Sequence, residues 1–503
     1  MTKNNTSSKF RLLLTGKLVK SKEYKRYLRM NNKGKKKKNQ VVLANIFEQQ
    51  EILAKAELIK SQLMASTWRE LETNGKFDKN DKLSFISDDM LILGCDIGSE
   101  THYIRAIDTR GRELSKSAFA FANDQEGFQS ALDWATRHAA ANEKTQIVMG
   151  LEPTGHYWFC LATWMIANGV SVVQVNPYAV KQTKEIEDNS QLKDDRKDPK
   201  LIANLVKDGN FGMPYLPEGI YADMRRLVMF RDQLTEDRIR CLNRLHREMK
   251  IYFPEYKDAF GNVSGRFCLE ILKVAPYPSN IIELGVQGIK DVWHEAKLRG
   301  VGYNRAATIV EYAKISVGLQ AGSDVSKLSV KWFVEQIIEL EKQLADIEAK
   351  LKEKCKEIPH ATNILEISGV GEHILSGILS EMGDVSRFDD VKEIQKLAGM
   401  GLVACSSGKH EGKTKISHRG RKRLRYWLFQ AAKSAVAHAE EFKELHTYYT
   451  TRPDNPLQKM QSLIVIACKI LRVIYAILNK GGTYAPKKLL SDIKRNTKEV
   501  QAA

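Results

Sequence analysis

The sequence predicts an α/β domain followed by a mostly helical region. Between residues 90 and 175, short apolar runs alternate with amphipathic stretches of helical length, a pattern typical of an α/β fold. Beyond residue 213, two long segments carry apolar residues at spacings of three and four, which predicts long helices. We therefore predict five regions: a basic arm with a helical extension at 1–89, an α/β domain at 90–212, a long-helix region at 213–356, a helical domain at 357–480 and a tail at 481–503.

Positive charge is concentrated at the N-terminus. The 503-residue chain has a formal net charge of +18, and residues 1–40 hold 14 Lys or Arg against the single acid Glu23. A segment this basic and this poor in apolar residues is either a disordered tail or an arm that binds a polyanion such as nucleic acid. The amphipathic stripe of Val41–Glu72 then predicts a helix, and the polar stretch Asn74–Asp89 predicts a linker.

Five apolar runs in the α/β region predict strands. They are Leu91–Asp96, Tyr103–Ile107, Glu113–Phe119, Thr145–Glu152 and Val170–Val175. Helices are predicted at Gln125–Ala140 and Tyr157–Asn168, on either side of the fourth run. Three consecutive strands followed by two that alternate with helices fit an RNase H-like mixed sheet, in which three strands are antiparallel and two are parallel.

Four carboxylates in this region point to a metal site. Asp96 and Glu152 each end an apolar run, so each is expected at the carboxyl end of a buried strand. The stretch K-D-D-R-K-D at Lys193–Asp198 adds Asp195 and Asp198, and carboxylates this close raise one another's pKa unless a cation lies between them. A solvated surface charge explains any one of these acids alone. The four together favour a site for one or two Mg²⁺ ions, which prefer oxygen ligands.

A short helix is predicted at Pro199–Val206, with proline in its first turn. Because the residue before a proline avoids the helical backbone conformation, Asp198 is expected to cap this helix and not to lie inside it. Asp195 and Asp198 are therefore not assigned to one helical face.

Two long helices are predicted in the region at 213–356. The apolar residues of Ala222–Phe253 that are expected to face inward are Leu227, Phe230, Leu234, Leu242, Leu245 and Met249. The opposite face carries Arg225, Arg226, Arg231, Arg238, Arg240, Arg244 and Arg247. Exposure to solvent alone would explain these arginines, but we favour a surface that binds a nucleic-acid phosphate backbone. Leu328–Cys355 has a heptad seam, so the pair forms either an intramolecular hairpin or a dimerising coiled coil.

Two similar G-V-G motifs precede stretches that are predicted to form apolar helices. They are Leu298–Gly302, which reads L-R-G-V-G, and Ile367–Gly371, which reads I-S-G-V-G. Both are typical of helix-hairpin-helix turns, in which glycine lets the backbone N–H groups at a helix start approach a phosphate. The pair predicts sequence-independent contact with a duplex backbone.

A serine-containing stretch follows in the helical domain. Cys405-Ser406-Ser407-Gly408 is followed by a basic run at Lys415–Arg425. The residues alone favour a turn at Ser-Ser-Gly and a nucleic-acid patch in the basic run. A serine in a cationic loop is a phosphoryl-transfer nucleophile when a base or a metal activates it, and composition does not decide between these roles.

Several classes of protein are disfavoured. The seven cysteines show no C-x-x-C motif and no histidine partners at zinc-ligand spacing, which argues against a zinc site and a disulfide framework. Lys469 and Arg472 interrupt the most apolar segment, Leu463–Leu478, so we predict a buried helix there and not a membrane span. No signal peptide is evident near the start, and a cytoplasmic location is expected.

Taken together, five motifs resemble those of the DEDD insertion-sequence transposases. These are relatives of the Piv DNA invertase and include the bridge-RNA-guided recombinases. The motifs are G-C-D-I-G-S-E-T-H at Gly94–His102, L-E-P-T-G-H-Y at Leu151–Tyr157, D-R-K-D at Asp195–Asp198, I-S-G-V-G at Ile367–Gly371, and S-S-G followed by K-I-S-H-R-G-R-K-R-L-R at Lys415–Arg425. The resemblance extends from about Met90 to His438 and leaves residues 1–89 without a counterpart.

The resemblance implies a RuvC-like domain and a transposase domain at 357–480. Its acidic tetrad falls on Asp96, Glu152, Asp195 and Asp198 and binds Mg²⁺. Its serine falls on Ser407, with Ser406 as the alternative, and attacks a DNA phosphate to form a covalent phosphoserine link. The implied partners are double-stranded DNA (element ends and target), a structured noncoding RNA that guides the reaction, and further copies of the chain in a dimer or tetramer, across which the two domains join.

Two other functions stay open. One is a RuvC-like nuclease that hydrolyses junction DNA with the four acids and water alone. The other is a nucleic-acid-binding protein that has lost its chemistry. One departure from the family pattern is Pro199, which follows Asp198 where family members usually have alanine.

Overall fold

The computed structural model of the chain comprises two compact units, Met1–Leu216 and Pro217–Ala503. The residues that it describes are 49–60, 79–187, 198–319, 324–403, 406–407, 410–411, 414–490 and 493. The basic arm at 1–40 and Asp195 lie outside these residues.

The first unit is built on a six-stranded mixed sheet. Its strands are β1 (Met90–Asp96), β2 (Thr101–Ile107), β3 (Phe119–Ala122), β4 (Gln146–Leu151), β5 (Ser171–Val175) and β6 (Phe211–Gly212), in the spatial order β3-β2-β1-β4-β5-β6. β1, β4 and β5 are mutually parallel, and the other neighbours are antiparallel. This is the predicted mixed sheet, extended by the short sixth strand.

Helices cover both faces of the sheet. They are α1 (Lys79–Phe85), α2 (Gln125–Ala141), α3 (Trp158–Ala167), α4 (Pro177–Glu187) and α5 (Asp198–Lys207). Successive residues of a strand point to opposite faces, so Leu91 and Leu93 pack with α2 and α3 while Ile92 packs with α4 and α5. Because β1 is buried on both of its faces, its residues are apolar in an unbroken run and do not alternate with polar ones.

Two local predictions for this unit are wrong. The third strand begins at Phe119 and not at Glu113, because the preceding residues fold back on β2: the backbone N–H of Leu114 donates to the carbonyl of Ala106 at 2.9 Å. The predicted linker Asn74–Asp89 contains helix α1, whose Phe85 packs edge-on against Phe211 with ring centroids 6.1 Å apart. In both segments a tertiary contact decides the local structure.

Part of the predicted helix Val41–Glu72 belongs to the core of the first unit. Residues 49–60 are helical, and Ala56 and Ile59 are buried beside α2 and α3. Lys60 forms an ion pair with Asp133 of α2 at 2.5 Å. The remainder of Val41–Glu72 lies outside the described residues.

The second unit contains the two predicted long helices. α6 (Gly219–Tyr252) and α11 (Asp324–Glu357) enclose four helices in the chain: α7 (Tyr256–Phe260), α8 (Arg266–Val274), α9 (Pro278–Glu295) and α10 (Tyr303–Lys314). Arg238 of α6 donates to Glu341 of α11 at 2.6 Å, and Tyr252 contacts Ser326 at 2.9 Å. Because the partners run in opposite directions along the chain, α6 and α11 form an antiparallel intramolecular pair, one of the two predicted arrangements.

The predicted faces of α6 are partly wrong. Leu245 and Met249 are buried as expected, but Phe230 is 49% exposed and Arg231, assigned to the basic face, is 1% exposed. Arg231 donates to the hydroxyl of Ser376 at 3.0 Å. The first half of α6 packs on the C-terminal helices and the second half on α8–α11, so its buried stripe shifts along the helix. A single sequence period does not capture such a shift.

The C-terminal part of the second unit is helical around a small β-structure. Its helices are α12 (Glu372–Met382), α13 (Val391–Leu397), α14 (Lys422–His438), α15 (Glu440–Thr451), α16 (Lys459–Lys480) and α17 (Pro486–Leu489). By length and composition α16 is apolar enough to cross a membrane, and half of its apolar stretch is buried. Ile470 and Ile474 lie in the hydrophobic core, in agreement with the predicted buried helix.

Both G-V-G motifs form turns directly before a helix, as predicted. Gly302 and Gly371 are the N-terminal caps of α10 and α12, and Gly300 and Gly369, two residues earlier, have φ values of 76° and 91°. A Cβ on Gly369 would also lie 2.7 Å from the carbonyl group of Ser434. Glycine is therefore required at 369 both by the backbone conformation and by the close approach of α14.

The buried His102 predicts a pH-dependent stability of the first unit. His102 lies on β2 against Phe121 and Phe128, and burial lowers its pKa. The unfolded chain therefore binds a proton more readily than the folded unit, so stability is highest above the ordinary histidine pKa of about 6.5 and falls as the pH drops below it. Hydrogen exchange of peptides from β1 and β2 should show a lower opening free energy at about pH 5.5 than at about pH 7.5.

The control separates this histidine from the others. His102→Leu removes the titrating ring, so the loss of opening free energy between the two pH values should shrink. His156→Leu changes an exposed histidine of the same unit and should leave the pH dependence as it is in the unaltered chain. An equal pH dependence in all three proteins would contradict the assignment to His102.

Candidate active site

Two glycines allow α5 to lie directly on the central strands. Gly94 of β1 and Gly150 of β4 are paired in register. A Cβ on Gly94 would lie 1.8 Å from the carbonyl oxygen of Pro199, and one on Gly150 would lie 2.3 Å from Cγ2 of Val206. Glycine inside a strand marks the close approach of another segment, which is the backbone of the first turns of α5 at Gly94 and the side chains of Ile202 and Val206 at Gly150.

This close approach brings together carboxylates from three segments. Asp96 follows Gly94 by two residues within β1, so strand alternation directs it toward the same sheet face as α5, and Glu152 directly follows the end of β4. α5 begins at Asp198, which is therefore the first helical residue and not the predicted cap. Burial raises the pKa of Glu152, and the negative charges of Asp96 and Asp198 raise it further. The predicted acids at 96, 152 and 198 are therefore electrostatic neighbours.

Lys184 is a component of the site that the sequence did not reveal. It lies on α4, and its Nζ is 2.7 Å and 3.0 Å from the two carboxylate oxygens of Asp198. Its positive charge also opposes the rise in the pKa of Glu152. No sequence pattern distinguishes this lysine from the others of α4, whereas Gly94 and Gly150 were recognisable as glycines inside apolar strands.

The donor atoms of the cluster fit a hard divalent cation. Asp96, Glu152 and Asp198 offer only oxygen, which Mg²⁺ prefers over nitrogen and sulfur ligands. The raised pKa of Glu152 reflects a concentration of negative charge that a cation would neutralise. Within the described residues, no group of three acidic, histidine or cysteine side chains already forms a metal-binding set.

The serines lie on a two-stranded arm in the second unit. β7 (Leu402–Val403) pairs antiparallel with β10 (Lys415–Ile416), and β8 (Ser406–Ser407) pairs with β9 (His410–Glu411). We call residues 399–420 the serine arm; 404, 405, 408, 409, 412 and 413 lie outside the described residues. The prediction of a turn is wrong for the two serines themselves, because they occupy a short strand. Ser407 is paired in register with His410.

The basic run beyond the serines is divided between two roles. Arg421, Arg423 and Arg425 make contacts within the second unit. Lys415 and Lys422 are exposed to solvent. The predicted nucleic-acid patch is therefore smaller than the sequence indicated, and part of the run stabilises the domain.

The comparisons with known proteins agree with this arrangement. A family model described as "DEDD_Tnp_IS110: Transposase" matches residues 93–254, which include the carboxylates. A second, described as "Transposase IS116/IS110/IS902 family", matches residues 361–449, which include the serine arm.

Two relatives match over nearly their whole length. An uncharacterized 44.8 kDa protein of insertion element IS116 from Streptomyces clavuligerus is 22% identical over 79% of this chain and 97% of its own length. An uncharacterized 42 kDa protein of insertion element IS900 from Mycobacterium paratuberculosis is 23% identical over 78% of this chain and 96% of its own length. The chain is thus an IS110-family DEDD transposase, an enzyme class of DNA phosphoryl transfer, with an N-terminal DEDD domain and a C-terminal IS116/IS110/IS902-type domain.

Proposed function

We propose that this transposase cleaves and rejoins DNA strands through a covalent phosphoserine intermediate on Ser407. The observation that carries the proposal is the gathering of Asp96, Glu152 and Asp198 on one face of the sheet by α5. Burial and the negative charges of Asp96 and Asp198 raise the pKa of Glu152. Repulsion of this kind destabilises the fold, and groups with pKa values shifted in this way cluster at functional sites. Ser407 lies in the region 361–449 that matches the second transposase model, and the motif resemblance assigns it as the nucleophile.

The proposed step conserves the phosphodiester bond energy. The hydroxyl oxygen of Ser407 forms a bond to the phosphorus, the bond from phosphorus to one deoxyribose oxygen breaks, and the serine proton passes to a base. The departing deoxyribose oxygen takes up a proton and becomes a hydroxyl group. Attack by the hydroxyl of another strand reverses the sequence and releases the serine. Each step exchanges one phosphoester bond for another, so no ATP is required.

The carboxylate cluster is the proposed Mg²⁺ site. Asp96, Glu152 and Asp198, with Asp195 as the fourth member, would hold the ion through oxygen atoms. When bound, Mg²⁺ polarises phosphoryl oxygens and stabilises the charge that develops on them. Lys184 orients Asp198 and balances part of the negative charge.

The proposed partners are duplex DNA at the element ends and target, a structured noncoding RNA and further copies of the chain. Exposed arginines on α6, including Arg226 and Arg244, and the turns at Gly302 and Gly371 suit contacts with phosphates and not with base edges. A surface that contacts only phosphates is consistent with recognition of the DNA sequence by a base-pairing RNA and not by the protein.

A covalent adduct assay tests the mechanism. Purified protein, Mg²⁺, co-expressed RNA and labelled element-end DNA are mixed and denatured, and label is sought on the protein. We expect a covalent adduct with the unaltered chain and none with Ser407→Ala, because that change removes the attacking oxygen. RNA binding should persist, because no phosphate contact is lost.

The matched variant Ser406→Ala should form the adduct. The opposite pattern would move the nucleophile to Ser406, and an adduct in both variants would exclude the serine mechanism. Cleaved DNA without any adduct would favour the second candidate, hydrolysis by a RuvC-like endonuclease, which the carboxylate cluster supports by itself. Binding without cleavage would favour a nucleic-acid-binding protein that has lost its chemistry.

A further inference from the structure

Backbone hydrogen bonds join the two ends of the serine arm where it leaves the helices. We call this part of the structure, residues 397–401 and 417–421, the foot of the arm. The N–H of Arg421 donates to the carbonyl of Leu397 at 2.6 Å, and the N–H of His418 donates to that of Gly399 at 3.0 Å. The N–H of Ser417 donates to the carbonyl of Gly401 at 2.8 Å. These bonds continue directly into the β7–β10 pair, so the two strands of the arm leave the helical domain together.

One arginine ties the two strands together at this foot. Nη1 of Arg425, from the first turn of α14, donates to the carbonyl of Ala398 at 2.8 Å and to that of His418 at 3.3 Å. One acceptor precedes the outgoing strand and the other follows the returning strand. A single guanidinium group therefore fixes the distance between the strands where they emerge.

Two glycines make room for this arrangement. Gly399 has a φ of +67°, and a Cβ there would lie 2.7 Å from Nη1 of Arg425. A Cβ on Gly420 would lie 2.5 Å from the backbone nitrogen of Gly399. The foot is compact because both positions lack a side chain. The guanidinium group of Arg425 occupies the space at Gly399, and the backbone of Leu397 and Gly399 occupies the space at Gly420.

Two further arginines, Arg421 and Arg423, connect the foot to the surrounding helices. Nη1 of Arg421 donates to the carbonyl of Glu381 at 2.6 Å, and Nε of Arg423 lies 3.2 Å from the carboxylate of Glu381, which is 6% exposed. Arg423 also forms an ion pair with Asp232 of α6. The foot is thereby attached to α12 and α6, which contribute buried residues to the same hydrophobic core.

We propose that Arg425 is a positioning residue that sets the location of Ser407 through the foot of the serine arm. This inference rests on the proposed function of Ser407. Ser407 follows the last residue of β7 by four residues along the chain, so a shift of the foot changes where the serine lies. A displacement of about 1 Å at reacting atoms can slow a reaction about 100-fold.

The contrasting role for Arg425 is a direct phosphate contact. Its Nη1 already donates to two carbonyl groups, so that nitrogen is committed to the protein. Loss of a phosphate contact would weaken DNA binding and reduce its salt dependence, whereas loss of a positioning contact would slow adduct formation on DNA that is already bound. The two roles are therefore separable by experiment.

The test compares Arg425→Ala and Arg425→Lys with Lys433→Ala, which changes an exposed cation elsewhere on α14. Three quantities are measured with the full chain: DNA affinity, the rate of adduct formation in a single turnover at saturating DNA, and hydrogen exchange at Ser417 and His418. For Arg425→Ala we expect adduct formation at least about 10-fold slower, exchange faster at the foot, and an affinity within about 2-fold of the unaltered chain. Added methylguanidinium should partly restore the rate, and methylammonium should not.

The variants give different patterns if the inference holds. Arg425→Lys keeps the charge but not the fork of donors, so its rate should lie between those of Arg425→Ala and the unaltered chain. Lys433→Ala should keep both the adduct rate and the DNA affinity of the unaltered chain. An unchanged rate in Arg425→Ala, or a loss confined to DNA affinity, would overturn the inference. If the unaltered chain forms no adduct, the proposed serine chemistry fails, and the exchange data alone decide whether Arg425 holds the foot.

Discussion

Gly94→Ala is expected to destabilise the first unit by about 3 kcal/mol and to abolish adduct formation. The new methyl carbon would lie 1.8 Å from the carbonyl oxygen of Pro199 and 2.6 Å from the backbone nitrogen of Ala203. Both neighbours are main-chain atoms of α5, so the clash is relieved only if the helix moves away from β1. Because α5 begins at Asp198, the same movement separates that carboxylate from Asp96.

Thermal unfolding and the adduct assay measure the two effects. Gly212→Ala is the matched control, since it adds the same methyl group to a strand of the same sheet with no atom within 4 Å. It should unfold at nearly the temperature of the unaltered chain and keep full activity. Equal stability of the Gly94→Ala and Gly212→Ala proteins would contradict the close approach of α5.

Gly150→Ala distinguishes a side-chain clash from a backbone clash. Its new methyl group would meet Cγ2 of Val206 at 2.3 Å, and a side chain can be shortened whereas a carbonyl cannot. The double variant Gly150→Ala with Val206→Ala should therefore recover part of the lost stability. Gly94→Ala has no such partner change, because both of its nearest neighbours belong to the main chain.

Asp96→Asn is expected to slow adduct formation by about 1,000-fold while leaving the fold intact. The change keeps the shape of the side chain and removes one negative charge from the cluster. Loss of that charge should also lower the pKa of Glu152, which Asp96 raises. The measurements are the single-turnover adduct rate across a Mg²⁺ titration, and the unfolding temperature.

The control is Asp89→Asn, at the opposite end of the same strand. Asp89 is exposed and immediately precedes β1, so its loss should affect neither rate nor stability. Asp96→Asn should not unfold at a lower temperature than the unaltered chain, because it removes a repulsion between like charges. An adduct rate close to that of the unaltered chain would show that the carboxylate cluster does not take part in the reaction.

The sequence by itself determined the sheet and the positions of Asp96 and Glu152 at the ends of its strands. A strand buried on both faces must be apolar throughout, and such runs end where a polar side chain emerges, as at Asp96 and Glu152. The proline at 199 correctly indicated a helix start at this point, but Asp198 is the first helical residue and not the predicted cap. Apolar residues at spacings of three and four likewise predicted both long helices to within a few residues, and the heptad seam of the second left the choice of partner open.

Only the tertiary structure decided which segments meet. Lys184 and Asp198 pair across residues 188–197, Arg231 is buried under helices that follow it by more than a hundred residues, and Arg425 holds the serine arm instead of facing solvent. Periodicity reports whether a side chain faces an apolar environment but not which element supplies it. Contacts between distant segments depend on how the whole chain packs, and for charged residues that packing alone separates a solvated side chain from a structural one.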